Sequence, residues 1–237
     1  MEQNIAYMSQ QFESADFTFL EEQKRKLYTF YEMLIEKNKV MNLTGITEFP
    51  EVVEKHFLDS IMLGKYISLE QNLRVMDLGT GAGFPGIPLK IAYPDLEITL
   101  ADSLNKRIRF LDEVIEELQL TGIHTVHGRA EELARNKAYR EQYDLCVSRA
   151  VANLSTLMEY CIPFVNKGGR FVSYKSGEVE EEVNNASRAC GLLGGKVEQI
   201  YRFALKNGGR SFVVVKKEKQ TPALYPRKAG TPSRMPL

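Results

Sequence analysis

The sequence has little of what builds a metal, disulfide or membrane protein. Its only cysteines are Cys146, Cys161 and Cys190, in 237 residues. They are widely spaced, no C-x-x-C occurs, and an odd number argues against a disulfide framework. His124 and His127 stand on an expected strand, facing opposite sides. No cysteine or carboxylate is close enough in sequence to complete a metal site, so no metal is expected. No apolar run approaches the roughly 20 residues that cross a bilayer. The opening "MEQNIAYMSQQFESADF" is polar and acidic, unlike a basic and apolar leader. A cytoplasmic protein without membrane contact is expected. Internal repeats are absent. Hydrophobic residues at 43% and charged residues at 26% exclude a disordered or fibrous chain.

Net charge is missing too, but unevenly so. Residues 196–237 hold ten Lys/Arg and two Glu, about +8; residues 1–195 hold 21 Lys/Arg and 29 Asp/Glu, about −8. A basic end on an acidic body points to a polyanion there. A solvated face with a disordered tail has the same composition.

Thr18-Phe-Leu-Glu21 has the form of a capping box, and Leu20, Leu27, Tyr31 and Leu34 fall on one helical face behind it. Asn42-Leu-Thr-Gly45 breaks the pattern, and Pro50 suits the first turn of a second helix, "EVVEKHFLDSIMLGKYI". The expected organisation is a helical extension over 1–70, a main domain over 71–220 and a basic tail over 221–237. Strands are expected at Leu73–Asp77, Ile98–Asp102, Ile123–His127, Tyr143–Ser148 and Arg170–Tyr174. After the second strand, Leu104, Ile108, Leu111, Ile115 and Leu118 predict an amphipathic helix. Such alternation means a parallel sheet covered by helices on both faces. Two longer segments, Lys196–Leu205 and Ser211–Lys217, are joined at Asn207-Gly208, a strong hairpin signal.

The stretch "VMDLGTGAGFPGIPLKIA" decides the chemistry. It contains a literal G-x-G-x-x-G, from Gly81 to Gly86. A dinucleotide loop places its first glycine at the strand end, with free N–H groups aimed at a pyrophosphate. Here Asp77 ends the strand instead, and its carboxylate repels phosphate. Pro85 removes another N–H. An acid beside a glycine turn, here Gly79 and Gly81, better suits a ligand with a cationic amine, such as S-adenosylmethionine. Asp102, ending the second strand, is placed to accept ribose hydroxyls. Gly128-Arg-Ala130-Glu131, after the third, offers a backbone N–H and a carboxylate to an adenine edge. A dehydrogenase and a ligand-free glycine turn are the alternatives to methyl transfer.

The chain resembles the RsmG (GidB) family of bacterial small-subunit ribosomal RNA methyltransferases. The resemblance is carried in order by "MNLTGI" (41–46), "HFLDSI" (56–61), "DLGTGAGFPGIPLKI" (77–91), "DSLNKRIRFL" (102–111), "GRAEEL" (128–133), "SRAVANL" (148–154) and "YPRKAGTPSRMPL" (225–237). It implies an α/β, Rossmann-like class I methyltransferase fold: a mostly parallel seven-stranded sheet ending in an antiparallel hairpin, with an N-terminal helical extension. It also implies methylation of N7 of one guanine, position 527 in the 530 loop of 16S rRNA, using S-adenosylmethionine. By motif, the resemblance assigns Gly79, Phe84, Ala130, Glu131 and Arg149 to the cofactor; the residue-level reading adds Asp77, Gly81 and Asp102. Lys206, Arg210, Lys216, Lys217, Tyr225, Arg227, Lys228 and Arg234 are the expected RNA contacts, on a monomer that binds 16S rRNA or the small subunit.

The fourth strand, "YDLCVSRAVA", faces the acceptor. Its Ser148-Arg149-Ala150 is not the polar-Pro-Pro-aromatic run that grips an exocyclic amine. Cys146, three residues before Arg149, reads as buried packing rather than as the thiolate of pyrimidine C5 chemistry. Guanine N7 needs neither device, because its lone pair already lies in the ring plane. Arg149 then has three candidate roles: contact with the cofactor, contact with guanine O6, or a purely structural one. A methyltransferase for a small molecule or protein, and a non-catalytic RNA-binding module, remain the competing classes.

Overall fold

The computed structural model describes residues 1–69, 72–149, 152–206 and 208–237. Seven strands, β1 (Arg74–Leu78), β2 (Glu97–Asp102), β3 (Ile123–His127), β4 (Tyr143–Arg149), β5 (Val165–Ser176), β6 (Gly195–Leu205) and β7 (Gly208–Lys217), make one sheet in the order β3-β2-β1-β4-β5-β7-β6. The first five are parallel; β7 runs antiparallel between β5 and β6. This is the expected sheet, hairpin included. β5 opens at Val165 rather than Arg170, pairing with Tyr143 across an irregularity in register.

Side chains alternate across the sheet. Val75, Val147 and Val172 enter one core, with residues of α5 (Gly86–Ala92) and α6 (Asn105–Glu117). Met76, Cys146 and Phe171 enter the other, with residues of α7 (Ala130–Leu133), α8 (Leu154–Cys161) and α10 (Ser187–Leu192), which follows α9 (Glu180–Asn185). The apolar stripe of α6 differs at its ends from the expected one. Leu104 is the N-cap, with extended backbone, so its side chain leaves the helical face and is exposed. Phe110 and Val114 are buried, whereas Ile115 is only half-buried.

Before β1 lie α1 (Glu2–Ser14), α2 (Glu21–Met41) and a continuous helical run: α3 (Phe49–Val52), a π-helical segment (Val53–Leu58), α4 (Asp59–Ile61) and a 3₁₀ turn (Met62–Lys65). Pro50 sits in the first turn of that run, as expected. The capping box on Thr18 does not form. α2 starts only at Glu21, Leu20 is its cap, and the Leu20 N–H donates to Gln23 Oε1 at 2.9 Å. Leu20 therefore lies outside the helix and is exposed, while Leu27, Tyr28, Phe30 and Leu34 are buried. α1 lies in a largely polar sequence and buries Met8, Gln11 and Phe12. Phe12, Phe30 and Phe57 belong to the same buried cluster as Val75 and Ile98, so the extension shares a core with the sheet. The expected boundary at Glu70 and Gln71 lies outside the described residues, as do Ala150 and Asn207. Among the described residues no helix is long and apolar enough to cross a membrane.

Candidate active site

Strand order reverses at β1, which lies between β2 and β4, and the crevice beyond the carboxyl ends of such strands is where ligands bind. A cavity of about 570 Å³ opens there. The glycine loop after β1 forms its floor, and its N–H groups are turned inward. Those of Gly79 and Thr80 donate to Ala101 O at 2.8 and 3.1 Å, and those of Gly83 and Phe84 to Thr80 O at 3.0 Å. The Gly81 N–H donates to Asp102 Oδ2 at 3.0 Å and that of Gly86 to Asp77 Oδ2 at 2.8 Å. Folding the loop on itself this way puts Gly79, Gly81 and Gly83 at φ of 71°, 62° and 98°, which only glycine adopts readily. These amides are committed to the protein, so the loop does not offer the N–H cradle that a pyrophosphate needs.

The expected cofactor residues separate into two groups. Gly79, Gly81, Phe84, Asp102, Ala130, Glu131 and Arg149 all line the cavity; Asp77 does not. Its fully buried carboxylate accepts the Thr80 hydroxyl at 2.7 Å as well as the Gly86 N–H, and burial pushes its pKa up to about 6. Asp77 thus holds the loop through Oδ2 from behind the cavity lining, while its Oδ1 has no hydrogen-bond partner among the described residues. Asp102 does reach the cavity while bracing it. Its Oδ1 accepts the Leu104 N–H at 2.9 Å, and Oδ2 also receives Arg107 at 3.2 Å. Glu131 is 5% exposed, and its Oε1 accepts the Gly230 N–H at 2.8 Å.

At the other side of the cavity stands Arg149, locked by groups the sequence reading passed over. Its guanidinium lies 5.0 Å from the Phe84 ring centre and donates to Lys55 O at 3.2 Å and Asp59 Oδ2 at 3.0 Å. Asp59 Oδ1 accepts Arg210 Nε at 3.1 Å, tying the hairpin to the same carboxylate. His56 completes the cluster. Its ring stacks on Phe84 at 4.4 Å, its Nε2 lies 2.9 Å from Thr44 Oγ1, and its Nδ1 is 3.3 Å from Arg149. Burial, then Arg149's charge, pushes its pKa down to about 3, so the ring is neutral. The π-helical segment carries His56 and the Lys55 carbonyl, and such irregular turns often mark functional sites. "HFLDSI" contains both His56 and Asp59, a signal present in the sequence but without an assigned role.

Beside Arg149, Ser148 is buried and its hydroxyl donates to Leu78 O at 2.8 Å. Cys146 is fully buried in the sheet, and burial with Cys161 beside it raises its thiol pKa. Neither offers a nucleophile to the cavity.

With this geometry in view, the comparisons with known proteins are consistent. A sequence model described as GidB, rRNA small subunit methyltransferase G, matches residues 23–213. The chain belongs to this family. It is 54% identical over 210 residues to a ribosomal RNA small subunit methyltransferase G from Lachnoclostridium phytofermentans, covering 88% of this chain and 87% of that one. A protein of the same name from Staphylococcus carnosus is 44% identical over 236 residues, covering 98% of each. Solved structures share the fold at low identity. The precorrin-6y C5,15-methyltransferase of Geobacter metallireducens has a TM-score of 0.52 at 12% identity, covering 75% of this chain and 92% of its own. An S-adenosylmethionine-dependent O-methyltransferase of Thermotoga maritima has a TM-score of 0.51 at 14% identity, covering 79% and 72%. They establish a class I methyltransferase fold.

In this family member the basic C-terminal residues divide sharply. Lys217 is 1% exposed; its ammonium donates to Ile162 O, Val165 O and Thr221 Oγ1 and pairs with Glu141. Arg227 makes a bidentate pair with the fully buried Glu159 and also binds Met235 O. Tyr225 is buried. These residues are structural, which corrects their expected role as RNA contacts. Lys216 pairs across from Arg170 toward the amino ends of the parallel strands, the edge remote from the cavity. Arg210 is bound to Asp59, and Lys206 is exposed with its ammonium on Gln11. Lys228 and Arg234 are exposed. Ser233, next to Arg234, lines the cavity, as does the exposed Arg129 that the sequence reading missed.

Proposed function

We propose that this protein transfers a methyl group from S-adenosylmethionine to N7 of a guanine in 16S rRNA, position 527 of the 530 loop, within the small subunit. The observation that carries the reading is the acceptor side of the cavity. Ser148 is committed to a backbone carbonyl, Arg149 is ion-paired, and His56 is neutral because its pKa lies near 3. Among these described groups none is poised as a general base, His56 being too weakly basic, and N7 attack needs none, since no proton leaves the ring nitrogen.

The cavity suits the cofactor. Its volume falls in the ordinary range for small-ligand sites, and Asp102 and Glu131 give it acids rather than the free amides that a pyrophosphate requires. Asp102 would receive ribose hydroxyls, the loop from Gly128 to Glu131 would edge the adenine, and Phe84 and Arg149 would bound the reacting end. S-adenosylmethionine, when bound, supplies an electrophilic methyl group on a cationic sulfur. The protein's own task is to hold N7 in line with that carbon, a matter of orientation. Arg149 is set to orient guanine O6 or the cofactor. The ring becomes cationic on methylation, and Asp59 supplies the carboxylate that offsets Arg149 beside it. N7 lies in a deep groove of an A-form helix, so the base must come from a loop or be flipped out. Arg129 lines the cavity, and the exposed Lys228 and Arg234 lie within two residues of its lining; we assign all three to RNA backbone contacts. The protein acts as a cytoplasmic monomer in this reading.

The test is transfer of labelled methyl groups to naked 16S rRNA, to assembled small subunits and to total cell protein. Label in rRNA supports the assignment. Label only in protein or small molecules contradicts it.

A further inference from the structure

Residues 221–237 fold back over the methyltransferase core instead of extending into solvent. Arg140 donates to the carbonyls of Thr221, Pro222 and Tyr225, and Arg135 to that of Pro226. Further along, Thr156 Oγ1 donates to Pro232 O at 3.1 Å, and Arg227 anchors on Glu159. The segment thus runs along α7 and α8 and ends at the cavity, where Gly230 and Ser233 form part of the wall. Its link to the site is direct: the Gly230 N–H lies 2.8 Å from Glu131 Oε1. Glu131 belongs to the loop after β3, the part of the cavity assigned above to the adenine. Leu157 and Tyr160 of α8 close the same side.

We propose that residues 225–237 are a strap that builds the adenine-end wall of the cofactor cavity, and that Glu131 is the positioning residue through which it acts. This rests on the reading of the cavity as an S-adenosylmethionine site. A carboxylate that is almost fully buried rotates freely only if nothing holds it. The Gly230 N–H fixes one oxygen and leaves the other to accept an exocyclic amine. The basic side chains of the strap are not needed for this; its backbone amide and the small side chain of Ser233 are. A segment that looks like a basic RNA arm is, in this proposal, part of the cofactor site.

The experiment compares the full chain with a chain ending at Ala229, with Ser233→Phe and with Glu131→Gln, by calorimetric titration with S-adenosylmethionine. Ser233 is exposed, so Ser233→Phe adds bulk at the wall without disturbing the core, even if the shortened chain folds poorly. The shortened chain and Ser233→Phe are each expected to bind about tenfold more weakly or worse, the loss of one hydrogen bond to a charged group and of wall contacts. Glu131→Gln should add little in the shortened chain, because groups acting as one unit are not additive. Hydrogen exchange in the 225–237 peptide should slow when the cofactor saturates the full chain. If the full chain does not bind S-adenosylmethionine, the cofactor reading itself fails. If it binds, and Ser233→Phe and the shortened chain bind equally well, the strap proposal alone is overturned. A loss of 16S rRNA binding with cofactor affinity unchanged would also overturn it, showing an RNA arm.

Discussion

The glycine loop after β1 and the segment after β7 solve one problem with opposite charges. Both are irregular backbone packed against a core, and buried N–H and C=O groups must find partners. In the loop the amides point inward, and two acids receive them: Asp102 takes Gly81 and Asp77 takes Gly86. In the C-terminal segment the carbonyls point inward, and arginines receive them: Arg140, Arg135 and Arg227 bind those of Thr221, Tyr225, Pro226 and Met235. The difference shows that a charge beside an irregular segment is as much a partner for backbone as a handle for ligand. Asp77 Oδ2 and Arg227 bind backbone away from the cavity lining; Asp102 binds backbone from within it.

The sharpest break of this comparison lies between neighbours in sequence. Arg227→Met should destabilise the protein by about 3–5 kcal/mol, because it leaves the buried Glu159 carboxylate unpaired. Lys228→Met, one residue on and exposed, should change stability by less than about 0.5 kcal/mol. Urea melts of both variants decide it; equal small effects would return Arg227 to the RNA surface.

Next in size is the contrast between the two loop acids. Asp102→Asn should weaken S-adenosylmethionine binding about ten- to a hundredfold, the range for a lost hydrogen bond to a charged group. Asp77→Asn should act instead on the stability of the loop. Calorimetry showing the reverse order would exchange their roles.

The smallest effects are pH slopes, and they run in opposite directions. Asp77 has a pKa raised from 3.8 to about 6, so the folded state holds its proton more tightly than the unfolded chain. Its contribution to stability is full below about pH 4 and is lost as pH rises through about 6. Burial lowers the Lys217 pKa from 10.5 to about 8, so its contribution is full above about pH 10.5 and is lost as pH falls through about 8. Subtracting the urea midpoints of Asp77→Asn or Lys217→Met from those of the wild type isolates each slope. A flat difference in either window contradicts the burial of that charge.

Much of this was legible in the sequence because it rests on short-range patterns. Short apolar runs between helices located the strands, and the turn glycines located the loop. Asp102 could be placed because it ends a strand whose neighbours were clear. What escaped was long-range. Nothing local says that Arg227 meets Glu159 or that Lys217 turns into the core between β5 and the Thr221 turn. Asp59 and His56 sit in a helical run, far in sequence from Arg149, and only the packing of the π-helical segment against β4 brings them to it. α1 was not read as a separate helix because its apolar residues are few: Met8 and Phe12 are buried along with Gln11, and Ile5 and Tyr7 pack at the edge of the core. The resemblance to a known family supplied Phe84 and Arg149, which no spacing rule would have selected.

The proposed reaction is direct attack by N7 on the methyl carbon, with no base. The measurement is the single-turnover rate at saturating enzyme and cofactor, on intact small subunits, from about pH 7 to 9. Product is located by borohydride and aniline cleavage, which cuts RNA at 7-methylguanine. With His56 held neutral down to about pH 3 and Asp77 ionised above about 6, the rate should be nearly flat, with cleavage at one guanine. A rate that climbs about tenfold per pH unit, or a methylated RNA that aniline does not cut, would contradict the account.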